Sequence, residues 1–444
     1  MKNYLKIIFL IFIFIHNGLT NAESILIQNV TIFDGKTNNP YVGNVLIKDN
    51  KISRVSSSNM RGDKVIDATG KILTPGIIAT DTDIGIVEIG ALSVTRDDSS
   101  DLYQIGFSIY DAFNPNSVLI PWNRSNGITS VMTLPQNTDS PIGGLGSFFV
   151  LDSNLEITGI KDNVMIGRVG GSGGESRSET FSIMEDLLEF ASSIDSKDIE
   201  SYQDAADLID DSPIAETMEL HPRDLKALYR LINDDLPLII KANRASDILK
   251  LIKIKEKYDL NLIIMGAQEA GLVANKISES DIPLIINPIN NIPESFDELA
   301  ANIELAGNLE RMGITLMFNA PRSHNYHLIR QGAGVAVANG MSYEGALKAI
   351  TLSPVEIFNL GDRGQIVQGN IADLIIWDPK SEKTIMSSTQ QSVIDYNVFE
   401  GIKVKGLPRF TLSRGRLAAE EGKVLASPGD GAVSYTHLTL PTKA

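Results

Sequence analysis

The sequence predicts an α/β chain, a (β/α)8 barrel with a small β-sandwich domain formed by both chain ends. Three observations carry that expectation. Short apolar runs alternate with helical patterns from Ile77 to Phe318, and eight of the runs read as strands. Strands separated in this way imply parallel pairing, because crossover helices are what bury both faces of a parallel sheet. Clusters of alternating strands before Leu73 and after Gly364 are each too short to bury a core alone, so one shared small domain would house both. An open doubly wound sheet is the other architecture that fits the alternation.

The first residues, 1–22, place Lys2 and Lys6 ahead of the apolar run Ile7–Ile15 and close on Thr20-Asn-Ala22. That plan predicts a secretory signal peptide, with a mature chain beginning at Glu23 in the periplasm or outside the cell. A retained membrane anchor is the alternative, although the apolar core is short for a bilayer span. No later run is long enough to span, so no membrane association is expected after cleavage. The absence of cysteine excludes thiol chemistry and disulfides. A net charge of −16 argues against nucleic acid or an anionic membrane as partner without saying what the partner is; a small-molecule ligand or substrate is the expected one. A homodimer is the base-rate oligomer.

Residues 23–73 supply the N-terminal part of the small domain. They read ILIQNVTIFDG, YVGNVLIKDNKISRV and KVIDATGKIL, punctuated by Asp34-Gly35, Asp49-Asn50 and Ala68-Thr-Gly70. The barrel is expected over 74–358, opening with Thr74-Pro75-Gly76 and a first strand from Ile77. Further strands are expected at 128–134, 145–151, 164–169, 236–242, 260–265, 282–287 and 314–318. Helices are expected at 183–193, 201–210, 222–233, 247–258, 269–277, 296–312 and 343–350, with a short one from Ser353 to Leu360. Residues 359–432 return to strands, at 364–367, 372–377, 402–404 and 411–412. The last stretch, 433–444, departs from the pattern and looks like a translated sequencing adapter, so His437 carries no functional weight.

Candidate chemistry gathers at strand ends. Asp81 and Asp83 close the first strand, and strand periodicity puts both carboxylates on one face. Lys241 ends the fifth strand, Met265 the sixth, and Asn319 follows the eighth. His324 and His327 lie three apart just beyond it and would share a helical face. Arg322 and Arg330 could bind an acidic ligand, with a solvated face as the plainer reading. His221 precedes Pro222 at a helix start, which suits capping. The loop Arg168–Gly174, RVGGSGG, could cradle an anion but lacks the Lys-Ser/Thr of a phosphate loop. No Gly-x-Ser-x-Gly elbow, His-Glu-x-x-His or dinucleotide fingerprint occurs.

The Thr74-Pro75-Gly76 turn before the first strand, together with Ala349-Ile-Thr-Leu-Ser-Pro354 and the run Gly364-Gln-Ile-Val-Gln-Gly369-Asn-Ile-Ala-Asp373-Leu, is similar to the amidohydrolase superfamily. The resemblance is to its imidazolonepropionase-like and dihydroorotase-like branches in particular, and it spans Ile25 to about Leu417. It implies hydrolysis of amide, urea or cyclic-amide C–N bonds by one or two divalent metals in the barrel mouth. The implied ligands are His-x-His on strand one, a carboxylated lysine or glutamate on strand four, histidines on strands five and six, and an aspartate on strand eight.

This chain has Asp81 and Asp83, no carboxylate or lysine near Met165 or Arg168, then Lys241, Met265 and Asn319 in those places. A lysine beside two aspartates replaces a cation, so a network of Lys241 with Asp81 and Asp83 would close the old metal site. Two readings follow. One is an exported binding or accessory protein with no cofactor, in which Asp81, Asp83, Lys241 and Asn319 form the altered site. The other is a C–N hydrolase with an atypical site and one divalent metal on Asp81, Asp83, His324 and His327, where carboxylates would suit a hard cation.

Overall fold

A computed structural model describes residues 24–425 apart from 38, 137–139, 153–154, 171–175, 323 and 390–394. The expected signal peptide and the 433–444 tail lie outside the described residues, as does most of the glycine-rich loop. Two sheets organise the chain. One has nine strands and draws on both chain ends: β1 (Ile25–Ile32), β2 (Tyr41–Lys48), β3 (Lys51–Ser56), β4 (Lys64–Asp67) and β5 (Ile72–Pro75) join β14 (Leu374–Thr384), β15 (Lys403–Ser413), β16 (Arg416–Glu420) and β17 (Lys423–Val424). The seam between the two ends is the antiparallel pair β5–β14, with Thr74 opposite Ile375.

Its core is aliphatic. Ile27, Ile32, Val45, Ile52, Leu73, Leu374 and Leu412 are buried together, each contributing about 1.5–3 kcal/mol by leaving water. Asp373, which ends the Gly364–Asp373 signature, has a structural task here: its carboxylate accepts the Arg414 N–H at 2.8 Å. The residues 364–367 expected as a strand form a turn-rich connection instead, while β14 and β15 run longer than their apolar cores.

The second sheet is a nearly closed barrel of eight strands: β6 (Ile77–Thr82), β7 (Ile128–Thr133), β8 (Ile142–Val150), β9 (Gly159–Arg168), β10 (Leu238–Ala242), β11 (Leu262–Gly266), β12 (Leu284–Ile286) and β13 (Leu316–Phe318). Only Gly76 separates β5 from β6. A Cβ there would lie 2.3 Å from Thr129 Oγ1, so this crossing between sheets needs glycine. Across the closing seam, the Thr80 hydroxyl donates to the Phe318 carbonyl at 2.9 Å.

Strand alternation sorts the side chains. Ile78, Ile166, Ile239, Ile263, Ile285 and Met317 fill the interior, and Val355 and Phe358 of the helix Leu352–Phe358, with Leu360 just after it, plug it. Their neighbours Ile77, Met165, Ile240, Ile264, Ile286 and Phe318 face outward into the helix-covered core.

Direction is where the barrel departs from the expected (β/α) repeat. β8 pairs antiparallel with both β7 and β9. Residues 134–141 and 151–158 are too short for crossover helices, so the chain makes two successive reversals there. Elsewhere the pairs are parallel. The helix expected over 296–312 is confined to Leu305–Arg311. Among the described residues, no helix is long and apolar enough to cross a membrane.

Candidate functional site at the barrel mouth

The carboxyl ends of the seven co-directional strands, with the amino end of β8, open on one mouth, the place where a barrel of this kind gathers side chains from many strands. Inward alternation carries Ile166 to Arg168 on β9, Ile239 to Lys241 on β10 and Met317 to Asn319 after β13. On β6 a register shift between Ala79 and Thr82 interrupts the alternation. Asp81 consequently reaches across the seam: Asn319 Nδ2 donates to Asp81 Oδ2 at 3.1 Å, and Arg322 Nε donates to Asp81 Oδ1 at 2.8 Å. Arg322 is held from behind by the Leu134 and Pro135 carbonyls.

Asp83 lies just past the strand and has a different partner. The Tyr326 hydroxyl donates to Asp83 Oδ1 at 2.5 Å and accepts the Asp83 N–H at 3.0 Å. Burial pushes the Asp83 carboxyl above its ordinary range, against the pull of the Tyr326 bond and of Arg322. Burial, reinforced by the neighbouring Asp83 charge, also raises Tyr326, so the phenol keeps its proton and stays a donor.

The structure thus brings Asp81 and Asn319 together as the strand ends suggested, but the cation between them is not the expected one. Lys241 makes no ion pair among the described residues; it is exposed, in register with Arg168 on one side and Met265 on the other. Arg322 takes its place because a long side chain from the loop after β13 can fold back over the mouth. Arg322 is an exposed residue, as the plainer reading expected, but its guanidinium is ion-paired with the buried Asp81 carboxylate, which the sequence did not indicate.

The histidines are placed apart from this network. His327 is buried, its ring edge-on to Trp122 with centroids 5.3 Å apart, and its Nδ1 has no hydrogen-bond partner. Burial, with Arg330 and His324 adding to it, lowers its pKa to about 4. His324 is exposed and its Nε2 meets the Asn325 amide at 2.9 Å. His221 caps the helix Pro222–Asn233 as expected: its Nδ1 accepts the Arg223 N–H, and its own N–H donates to Asp224.

The metal implied by the resemblance does not fit these residues. Both Asp81 oxygens accept from Arg322 and Asn319, an arginine occupies the space beside them, and a lysine and a methionine end strands five and six. Among the described residues, no three His, Cys, Asp or Glu side chains form a group able to hold a metal ion, so Asp81, Asp83, His324 and His327 do not come together as a ligand set.

With that geometry in view, comparisons with known proteins place the fold. Residues 238–418 match the Amidohydrolase family. The amidohydrolase from Thermotoga maritima MSB8 superposes with a TM-score of 0.71 over 89% of this chain and 100% of its own, at 21% identity. This is an amidohydrolase-fold protein. The dihydropyrimidinase from Brevibacillus agri NCHU1002 superposes with a TM-score of 0.53 over 92% of this chain and 97% of its own, at 15% identity.

Sequence relatives of the amidohydrolase-fold chain fall in the hydantoinase and dihydropyrimidinase group. The D-hydantoinase of Rhizobium radiobacter is 33% identical over 86 residues, 19% of each protein. Human (Homo sapiens) dihydropyrimidinase-related protein 5 is 38% identical over 97 residues, 21% of this chain and 17% of that protein. The chain therefore matches about a fifth of the length of these curated relatives.

Proposed function

We propose that this amidohydrolase-fold chain lacks metal-dependent hydrolysis and serves as an exported small-molecule binding or accessory protein. The observation that carries the reading is the Asp81 carboxylate, engaged by Arg322 on one oxygen and by Asn319 on the other. A carboxylate already paired with an arginine gains less from a divalent ion, and the ion would have to displace that arginine. The binding surface would be the mouth above the apolar floor of Met265 and Met317. Arg168 and Lys241, side by side in register, would face the ligand with positive charge. In this reading Asp81, Asp83 and Asn319 shape the mouth instead of activating water, and Lys241 contacts the ligand. Export rests on the Lys2-to-Ala22 leader pattern.

The alternative is a hydrolase of non-peptide C–N bonds in amides or cyclic amides, acting through an atypical site; the names of the matched hydantoinase and dihydropyrimidinase favour it. Metal analysis of protein purified from zinc- and manganese-supplemented medium, with hydantoin and dihydropyrimidine hydrolysis assayed on the same sample, separates the two. Substoichiometric metal and no turnover are expected; one bound ion per chain with turnover overturns the proposal. Expression of the full chain followed by cell fractionation and N-terminal sequencing checks export, with a mature start at Glu23 expected.

A further inference from the structure

A second concave surface lies away from the strand ends. A cleft of about 2300 Å³ runs between the barrel and the small sheet, touching the mouth only through Asp83 and Arg322. Both tryptophans of the chain, Trp122 and Trp377, line it, and so does Arg330. We propose that this cleft binds an alkyl or aryl carboxylate, with the charged head on Arg330 and the apolar body along the tryptophans.

Arg330 is the reason to expect an anion. Among the described residues its Nη1 and Nη2 reach only the Asn126 carbonyl and the Asn126 side chain, both at 3.3 Å, and its guanidinium lies 5.8 Å from the Trp377 ring centroid. Among the described residues no carboxylate pairs with it. A partly buried guanidinium with only neutral partners leaves part of its desolvation uncompensated, and an incoming carboxylate supplies the missing countercharge in bidentate geometry. Burial accordingly lowers the Arg330 pKa to about 10.

The other charges in the cleft point the same way. Asp83 already accepts from Tyr326, and Glu88 accepts from the Ser117 hydroxyl and the Val118 N–H. Lys383 and Lys423 line the cleft and make no ion pair among the described residues. Of the other basic groups there, Arg322 pairs with Asp81 and Lys405 with Glu382, so Arg330, Lys383 and Lys423 are the ones without an ion pair among the described residues, in a chain whose net charge is −16.

Shape selects the rest of the ligand. Sites for compact small molecules enclose roughly 300–1,000 Å³, so this larger and mainly apolar trough suits an elongated body. Gly334 lies one turn beyond Arg330 on the helix Ile329–Ala338 and lines the cleft, and a Cβ built there meets nothing within 4 Å. The missing side chain keeps the floor beside Arg330 open.

The test is a tryptophan-fluorescence titration of the full chain with dodecanoate below its micellar concentration, alongside uncharged dodecanol. Saturable dodecanoate binding is expected, at least about tenfold weaker in Arg330→Gln, with dodecanol binding weaker by a similar factor. Gly334→Leu should crowd the trough beside Arg330 and weaken dodecanoate binding while keeping the fold, since leucine is the better helix former. Circular dichroism and the urea midpoint of each variant establish that it is folded. No saturable change with dodecanoate, equal binding of dodecanol, or unchanged affinity in either variant overturns the proposal. Reversible dimerisation that Gly334→Leu abolishes also overturns it, by assigning the trough to a second copy of the chain.

Discussion

Arg322 Nε stands 2.8 Å from Asp81 Oδ1, so the carboxylate at the end of the first barrel strand is neutralised by a side chain of the same molecule. The pair joins β6 to the loop after β13, across the barrel seam, and Asn319 completes it from the strand side. The chemistry open to the mouth depends on this contact, because it determines whether Asp81 is available as a ligand.

Removing one partner should therefore cost more than removing both. Arg322→Ala leaves Asp81 buried without a countercharge, and a loss of about 3 kcal/mol in urea unfolding is expected. The double variant Arg322→Met with Asp81→Leu should recover most of that loss, since two apolar groups leave nothing unpaired. A single variant as stable as the parent chain would mean that the ion pair contributes nothing.

Tyr326→Phe removes the donor that holds Asp83. The phenol is buried and makes two hydrogen bonds to this one residue, so a loss of roughly 1–3 kcal/mol is expected. Asp83→Asn in the Tyr326→Phe background should cost little more, because the two residues act as a unit. Additive losses in a double-mutant cycle would refute the coupling.

The pH dependence of stability should carry the mark of His327. Its folded pKa, about 4, lies below the ordinary value of 6.5, so the unfolded chain binds the proton more readily. The contribution is fully present above about pH 6.5 and is lost as pH falls toward 4, up to about 3 kcal/mol in all. His327→Phe keeps an aromatic ring against Trp122 and should flatten this part of the stability profile. An unchanged profile would place the titration on another group.

At the start of the helix Pro222–Asn233, His221→Ala should cost about 1 kcal/mol, the scale of a lost helix cap. Asp224→Ala should cost more. Its carboxylate is fully buried and accepts both the His221 N–H at 2.8 Å and the Gly106 N–H at 2.6 Å. Ligand binding at the mouth should be unaffected by either change, as measured by calorimetry; a loss of affinity in His221→Ala would give this histidine a role beyond capping.

Much of the fold was legible because it rests on local periodicity. The eight barrel strands appear near their expected positions, and both chain ends contribute to one small sheet through the β5–β14 seam. The reversal of β8 was present in the short connections 134–141 and 151–158, which leave no room for crossover helices, but an apolar run reads the same in either direction. At the mouth, Asp81 and Asn319 could be paired from their strand ends. Arg322 could not, because it follows its strand in a loop and its spacing says nothing about where a long side chain will fold.

The order of residues alone determined which positions could hold a ligand of each type: carboxylates around the end of the first barrel strand, a lysine at the end of the fifth, an amide just after the eighth, and no cysteine anywhere. Tertiary structure decided the pairings among them. It gave Asp81 to Arg322 and Asp83 to Tyr326, left Lys241 exposed, and set Arg330 beside Trp377. Those outcomes depend on the reach of side chains across a closed sheet and on which charges burial leaves without water, and both are properties of the folded molecule in three dimensions.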